Sequence, residues 1–249
     1  MKIAAWQKES FIDYEGKLST VVFTPNCNYN CGYCHNPELK DAEGKIDEKE
    51  IFDYLKSKKG KGWIDAVVIT GGEPTMQNGL KDFVKEVKNL GFLVKLDTNG
   101  AKPYVLQELK NEKLLDYVAM DVKGPIELYP LITGKLIKIR DNISKGISIV
   151  SQFPKHEFRT TTCLIYEDCK PRWMTPKEIG DTAELIRDWA LTKDEVKYIL
   201  QPFKAIEKEE GDKRYMKKYI PKEFHETPKE NLEKYLIEAQ KHIPNTKIR

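Results

Sequence analysis

The sequence predicts an α/β fold in which a parallel sheet of about six βα units curls into a barrel open on one side. Three observations lead there. Short runs such as 18–24 (LSTVVFT) and 65–70 (DAVVIT) are β-branched and apolar, as strands buried on both faces are. Between them lie segments with apolar residues at helical spacing. The two patterns alternate along most of the chain, with no internal repeat and no low-complexity linker.

In chain order, the strand at 18–24 precedes a helix over 47–58 with Ile51, Phe52 and Leu55 on one side. The strand at 65–70 runs into Gly71-Gly72 and a helix over 80–90, where Phe83, Val84, Val87 and Leu90 are in register and Gly91 closes the last turn. A strand at 92–97 is followed by a helix opening after Pro103, and a strand at 117–122 by a helix over 142–153. A strand at 157–164 leads to a helix over 176–191 capped by Thr175, and a sixth strand at 197–201 precedes a last amphipathic helix at 228–242. A count of about six units fits an open barrel, not a closed eight-fold one. The expected division is a barrel core over 1–204 and a charged C-terminal helical extension of the same domain over 205–249.

Composition narrows the function classes. The chain has 249 residues, 40% hydrophobic and 33% charged, enough for a sizeable core. A net charge of +3, from 42 basic and 39 acidic residues, gives no basic stripe, so no nucleic acid is expected. No stretch approaches the roughly 20 apolar residues that span a bilayer, and no apolar run follows the first residues, MKIAAWQKE. The expectation is a cytoplasmic protein with no membrane contact. Thiols stay reduced there, and three of the five cysteines crowd into positions 27–34, which points to metal and not to disulfides.

Chemistry in such folds sits at the C-terminal ends of the strands. Directly after the first predicted strand comes Cys27-Asn28-Tyr29-Asn30-Cys31-Gly32-Tyr33-Cys34, a C-x3-C-x2-C loop. Three thiolates at this spacing can each hold one corner of an iron–sulfur cubane and leave the fourth iron open. The competing reading is a zinc knuckle completed by His35. The next strand ends carry Gly71-Gly72-Glu73-Pro74, then Asp97-Thr98-Asn99-Gly100, then Asp121-Val122-Lys123. An ordinary glycine turn or a surface ion pair would explain any one of these. Four successive strand ends with polar motifs favour a shared site, and zinc would not need them.

With an aromatic residue, Tyr33, before its last cysteine, the loop resembles the signature of the radical SAM superfamily, and the later motifs match that family in order. The resemblance implies a partial (βα)6 TIM-like barrel, a [4Fe–4S] cluster on Cys27, Cys31 and Cys34, and S-adenosyl-L-methionine as the second cofactor. It implies that Gly71, Gly72, Glu73 and Pro74 meet the methionine amino group. Asp97, Asn99, Asp121 and Lys123 join the cofactor-binding set, the last two suiting ribose hydroxyls and the carboxylate. Tyr33 and His35 belong to that set too, Tyr33 beside the adenine. One electron delivered through the cluster then cleaves the sulfonium to methionine and a 5′-deoxyadenosyl radical.

The flanks narrow the resemblance. Ile12-Asp13-Tyr14-Glu15-Gly16 and Cys34-His35-Asn36-Pro37-Glu38-Leu39 resemble the activating enzymes of glycyl-radical enzymes, most of all those of anaerobic ribonucleoside-triphosphate reductase. This covers about residues 10–125 by motif. The implied partners are a glycyl-radical enzyme as protein substrate and an external one-electron donor such as flavodoxin or ferredoxin. Three residues depart from the pattern: Glu15 replaces a proline, Asn26 stands where a glycine often precedes the first cysteine, and Lys204 stands where relatives place a histidine near the adenosine. Cys163 and Cys169 are read as structural or incidental, since a second cluster needs about four ligands. The alternatives are a radical SAM enzyme acting on a small molecule or on RNA, and a zinc-binding interaction module.

Overall fold

The computed structural model describes residues 1–134, 139–192, 196–207 and 212–249. Its main sheet has eight strands in the order β1-β2-β3-β4-β5-β6-β9-β10. The strands are β1 (Ala5–Ser10), β2 (Ser19–Thr24), β3 (Ala66–Gly71), β4 (Leu93–Thr98), β5 (Tyr117–Asp121), β6 (His156–Thr162), β9 (Tyr198–Pro202) and β10 (Lys247–Ile248). From β2 to β10 every neighbouring pair is parallel, and β1 alone runs antiparallel, on β2. The crossovers carry α1 (Glu48–Lys58), α2 (Leu80–Asn89), α3 (Pro103–Asn111), the short α4 (Tyr129–Thr133) with α5 (Ile139–Val150), and α6 (Pro176–Trp189). After β9, α7 (Lys229–Gln240) packs on α6 and leads into β10. Among the described residues no ladder joins β1 to β10, so the six-unit α/β barrel is open along one side.

The sequence explains the layers. In β2 to β5, Val22, Val67, Ile69, Val94, Leu96, Val118 and Met120 all belong to the large core under the helices. The alternate residues Val21, Ala66, Val68 and Tyr117 form a second, smaller cluster with Tyr14 on the concave face. Tyr14 closes the N-terminal end of the barrel, meeting Tyr117 edge-on at 5.5 Å. Beside it, Lys95 Nζ donates to the Asp13 carbonyl at 2.6 Å. Toward the other end the concave face turns polar, through Asp97, Asp121, Arg159, Thr161 and Gln201.

Helix ends behave as their residues dictate. Thr175 forms a full capping box with Glu178 at the start of α6, and Gly91, at φ 90°, ends α2 in the left-handed region. Four strands lie outside the sequence expectation: β1, β10 and the two of the hairpin, β7 (Leu164–Glu167) and β8 (Lys170–Trp173). The hairpin turns through Asp168 and Cys169, at φ 48° and 62°. Cys169 is therefore exposed at the tip, while Cys163 is buried ahead of the hairpin's base. The helix expected at 142–153 begins earlier and ends earlier, at Ile139–Val150.

Candidate active site at the strand ends

The cysteine loop leaves β2 through Asn26, which lies at φ 64°. Asparagine is the residue after glycine that best tolerates this region, so the departure from glycine preserves the turn. Asn26 also joins three segments. Its N–H donates to Leu39 O at 2.7 Å, its carbonyl accepts from Glu73 N at 2.8 Å, and its side chain donates to Lys40 O at 3.1 Å. Farther along, Asn30 N donates to Thr133 O of α4 at 2.8 Å. Lys40 Nζ reaches Asn30 Oδ1 at 2.7 Å and Cys31 O at 3.3 Å. The loop is thus held at its entry, middle and exit.

The β3 loop packs directly beneath it. A Cβ at Gly72 would fall 1.9 Å from Asn26 O, and Gly71 sits at φ 117°. Only glycine fits either position. Glu73 is buried, and its carboxylate is fully engaged: Oε1 accepts from Thr75 N, Thr75 Oγ1 and Thr98 Oγ1, and Oε2 from Asn99 N at 2.7 Å. Burial pushes its pKa up, against those hydrogen bonds. Glu73 therefore ties the β3 loop to the end of β4. Asn99 extends the tie, donating to Asn28 Oδ1 at 2.8 Å and accepting from Ala101 N at 3.0 Å.

A charge network lies on the barrel floor. Arg159, from the middle of β6, donates through Nε to Asp121 at 2.8 Å and through Nη1 to Asp97 at 3.1 Å. Lys123 Nζ holds the other Asp121 oxygen at 2.9 Å. Burial acts to raise the Asp121 pKa, but Arg159 and Lys123 outweigh it and hold the carboxyl well below the usual range. For Lys123, burial is opposed by Asp121 and its pKa rises well above the ordinary value. Lys123 Nζ also lies 5.8 Å from the centre of the Tyr33 ring.

These segments enclose one cleft of about 330 Å³. Cys27, Cys31, Cys34, Tyr33, His35, Gly71, Gly72, Glu73, Asp97, Asn99, Asp121 and Lys123 all line it. Pro74 does not; it is buried at the start of a 3-10 turn behind the loop. Lys204 is exposed, 3.9 Å from Glu226, and is not part of the lining. Sequence reasoning missed Tyr29, Lys40, Arg159, Thr161 and Gln201. Alternation along β6 and β9 was the available signal for the last three, since 159, 161 and 201 share the concave face.

Thiol donors suit an iron–sulfur cluster. Burial pushes the Cys27 thiol up to about 11 and raises that of Cys31, so binding must release their protons. Among the described residues no three Cys, His, Asp or Glu side chains converge as the ligands of a single ion. The three thiols, in a pinned loop beside an open cleft, fit the cluster.

The profile of the radical SAM superfamily matches residues 21–166, a span containing the cysteine loop and every strand-end motif above. The chain belongs to this superfamily and is an enzyme; the family implies a [4Fe–4S] cluster and S-adenosylmethionine. A protein of Methanocaldococcus jannaschii named "putative glycyl-radical enzyme activating enzyme" is 36% identical over 259 residues, covering 96% of this chain and 92% of that one. A "probable GTP 3′,8-cyclase" of Pyrococcus horikoshii is 32% identical over 128 residues, 51% of this chain and 40% of that one. Among solved structures, Streptococcus suis SuiB superposes with a TM-score of 0.61 at 16% identity, over 92% of this chain and 48% of that one. The enzyme anSMEcpe, with AdoMet and a peptide bound, gives 0.56 at 16% identity over 93% and 63%. At such identities these two likenesses speak for the fold. No described helix is long and apolar enough to cross a membrane.

Proposed function

We propose that this radical SAM enzyme holds its cluster on Cys27, Cys31 and Cys34 and generates a glycyl radical on a partner enzyme. Anaerobic ribonucleotide reductase is the partner that the flanking motifs favour. One observation carries the chemistry: the three cysteines, the Gly71–Glu73 loop, Asp97, Asn99, Asp121 and Lys123 surround a single cleft. The partner class rests on the relative that matches nearly the whole chain.

When bound, the cluster would supply the electron that breaks the sulfonium carbon–sulfur bond of S-adenosylmethionine. The chain's own residues bind and orient. Lys123 would take the methionine carboxylate and Asp121, held ionised, a ribose hydroxyl. Glu73 gives its carboxylate to Thr75, Thr98 and Asn99. It therefore fixes the Gly71-Gly72 backbone, whose carbonyls suit the ammonium. Tyr33 and His35 flank the same cleft. An external donor of the flavodoxin or ferredoxin kind supplies the electron, and a reducing cytoplasm is the fitting compartment.

The partial match with GTP cyclases favours a second reading, a small-molecule substrate. The experiment is anaerobic: reconstitute with iron and sulfide, add dithionite and S-adenosylmethionine, and assay 5′-deoxyadenosine. Wild type forms it and Cys31→Ala does not; equal yields would sink the ligand assignment. A glycine-radical doublet in electron paramagnetic resonance, on mixing with the ribonucleotide reductase, supports the activase reading. Consumption of GTP without that doublet supports the second.

A further inference from the structure

A strap from beyond β9 packs against the cysteine loop through Tyr215. Tyr215 is 3% exposed. A Cβ on Gly32 would lie 2.2 Å from its Cε2, 2.7 Å from its Cδ2 and 2.9 Å from Asp212 Oδ2. Gly32 is not among the glycines at positive φ, so its backbone conformation is open to any residue and only space forbids a side chain. Gly32 sits between the second and third cysteines, so whatever fixes it fixes the spacing of Cys31 and Cys34.

Tyr215 is itself immobilised. Its ring meets Tyr33 at 6.2 Å, Tyr166 of the β7–β8 hairpin at 5.3 Å and Phe203 at 6.1 Å, all edge-on. Its hydroxyl donates to Leu164 O at 3.3 Å. Its carbonyl accepts from Ile206 N at 2.8 Å and its N–H donates to Asp212 O at 2.9 Å. Asp212 in turn is held by Arg214, which lies over the Tyr166 ring at 5.4 Å. Hairpin and strap, neither of which supplies a cysteine ligand, therefore meet on Tyr215.

We infer that Tyr215 is a positioning residue for the cluster: its ring, seated in the space Gly32 leaves, sets the geometry of the Cys31–Cys34 segment. This rests on the assignment of Cys27, Cys31 and Cys34 as cluster ligands. Residues that orient metal ligands change metal affinity by about 10- to 100-fold when lost.

The test compares Tyr215→Ala, Tyr215→Phe, Gly32→Ala and the Gly32→Ala/Tyr215→Ala double variant, each reconstituted anaerobically. The readouts are iron per chain, the rate of iron release to a chelator in air, and the resonance spectrum of the reduced cluster. Tyr215→Ala should release iron about tenfold faster with a shifted spectrum, and Tyr215→Phe should match wild type. Gly32→Ala should load poorly alone and recover in the double variant to the level of Tyr215→Ala, where the new methyl enters the vacated space and only the end of the Asp212 side chain has to shift. That recovery distinguishes positioning from general misfolding. Wild-type iron release in Tyr215→Ala, or no recovery in the double variant, overturns the inference and leaves the cluster assignment intact. Failure of wild type to load any cluster overturns both.

Discussion

Asn26 shows how much one residue can fix. At φ 64° it turns the chain out of β2, and its three backbone and side-chain hydrogen bonds join the cysteine loop, the β3 loop and the 3-10 turn at Pro37–Lys40. A β-branched residue pays about 1–2 kcal/mol for the left-handed region. Asn26→Gly should therefore keep the thermal midpoint within a few degrees, while Asn26→Val should destabilise by about 2 kcal/mol in denaturant unfolding. Arg159 is a second such residue. Arg159→Ala leaves Asp121 with Lys123 alone and Asp97 with Lys95 alone at the cleft floor and should cost about 1–3 kcal/mol, and Arg159→Lys should recover only part, lacking the fork that spans Asp97 and Asp121. The cysteines, the glycine pair and the DVK residues were legible because their types announce chemistry at strand ends. Arg159 was not, because within His156–Thr162 it reads as one more strand residue until the register shows whom it faces.

At the scale of elements, the strands that the sequence disclosed are those buried on both faces, where parallel pairing demands unbroken apolar runs. β1 and β10 are edge strands, one half exposed and the other two residues long, and they carry no such run. The β7–β8 hairpin hides for another reason: its turn uses Asp168 and Cys169 in place of an Asn-Gly or Asp-Gly pair. Helix starts were clearer, since capping chemistry is local. In α6 both hydrogen bonds of the Thr175–Glu178 box form. Thr175→Ala should lower stability by about 1 kcal/mol and leave S-adenosylmethionine cleavage unchanged, which thermal melts and the deoxyadenosine assay would check.

For the whole molecule, the two ends of the barrel have separate duties. The strand C-termini hold the cleft, and the opposite end is closed by packing and charge. There Glu157, fully buried, receives both arms of Arg249 at 3.1 and 2.8 Å, with Lys197 at 3.5 Å. Burial acts to raise its pKa, but the hydrogen bonds from Arg249 and Tyr117 prevail and lower it from 4.5 to about 2. A depressed carboxylate stabilises the fold above its unfolded pKa, and that contribution fades as pH falls from about 4.5 toward 2. Arg249→Ala should thus cost about 1–3 kcal/mol at neutral pH, with the difference from wild type shrinking through that acid window. Denaturant titrations at several pH values would show it; a gap independent of pH would contradict the ion-pair account. Sequence reading saw a charged extension over 205–249, and the ladder between β10 and β9 is a long-range pairing that no local pattern encodes.

The anchoring of Asn99 also bears on chemical ageing. Asn99-Gly100 and Asn78-Gly79 are both Asn-Gly pairs, the sequence in which the following amide nitrogen most readily attacks the side chain and deamidates it. At Asn99 that nitrogen is occupied, donating to Thr98 Oγ1, and the side-chain amide is held by Asn28 and Ala101. Asn78 is exposed on the surface. On prolonged storage of the folded protein, peptide mass spectrometry should find deamidation accumulating at Asn78 well before Asn99, so the cleft would keep its lining after the surface has begun to age.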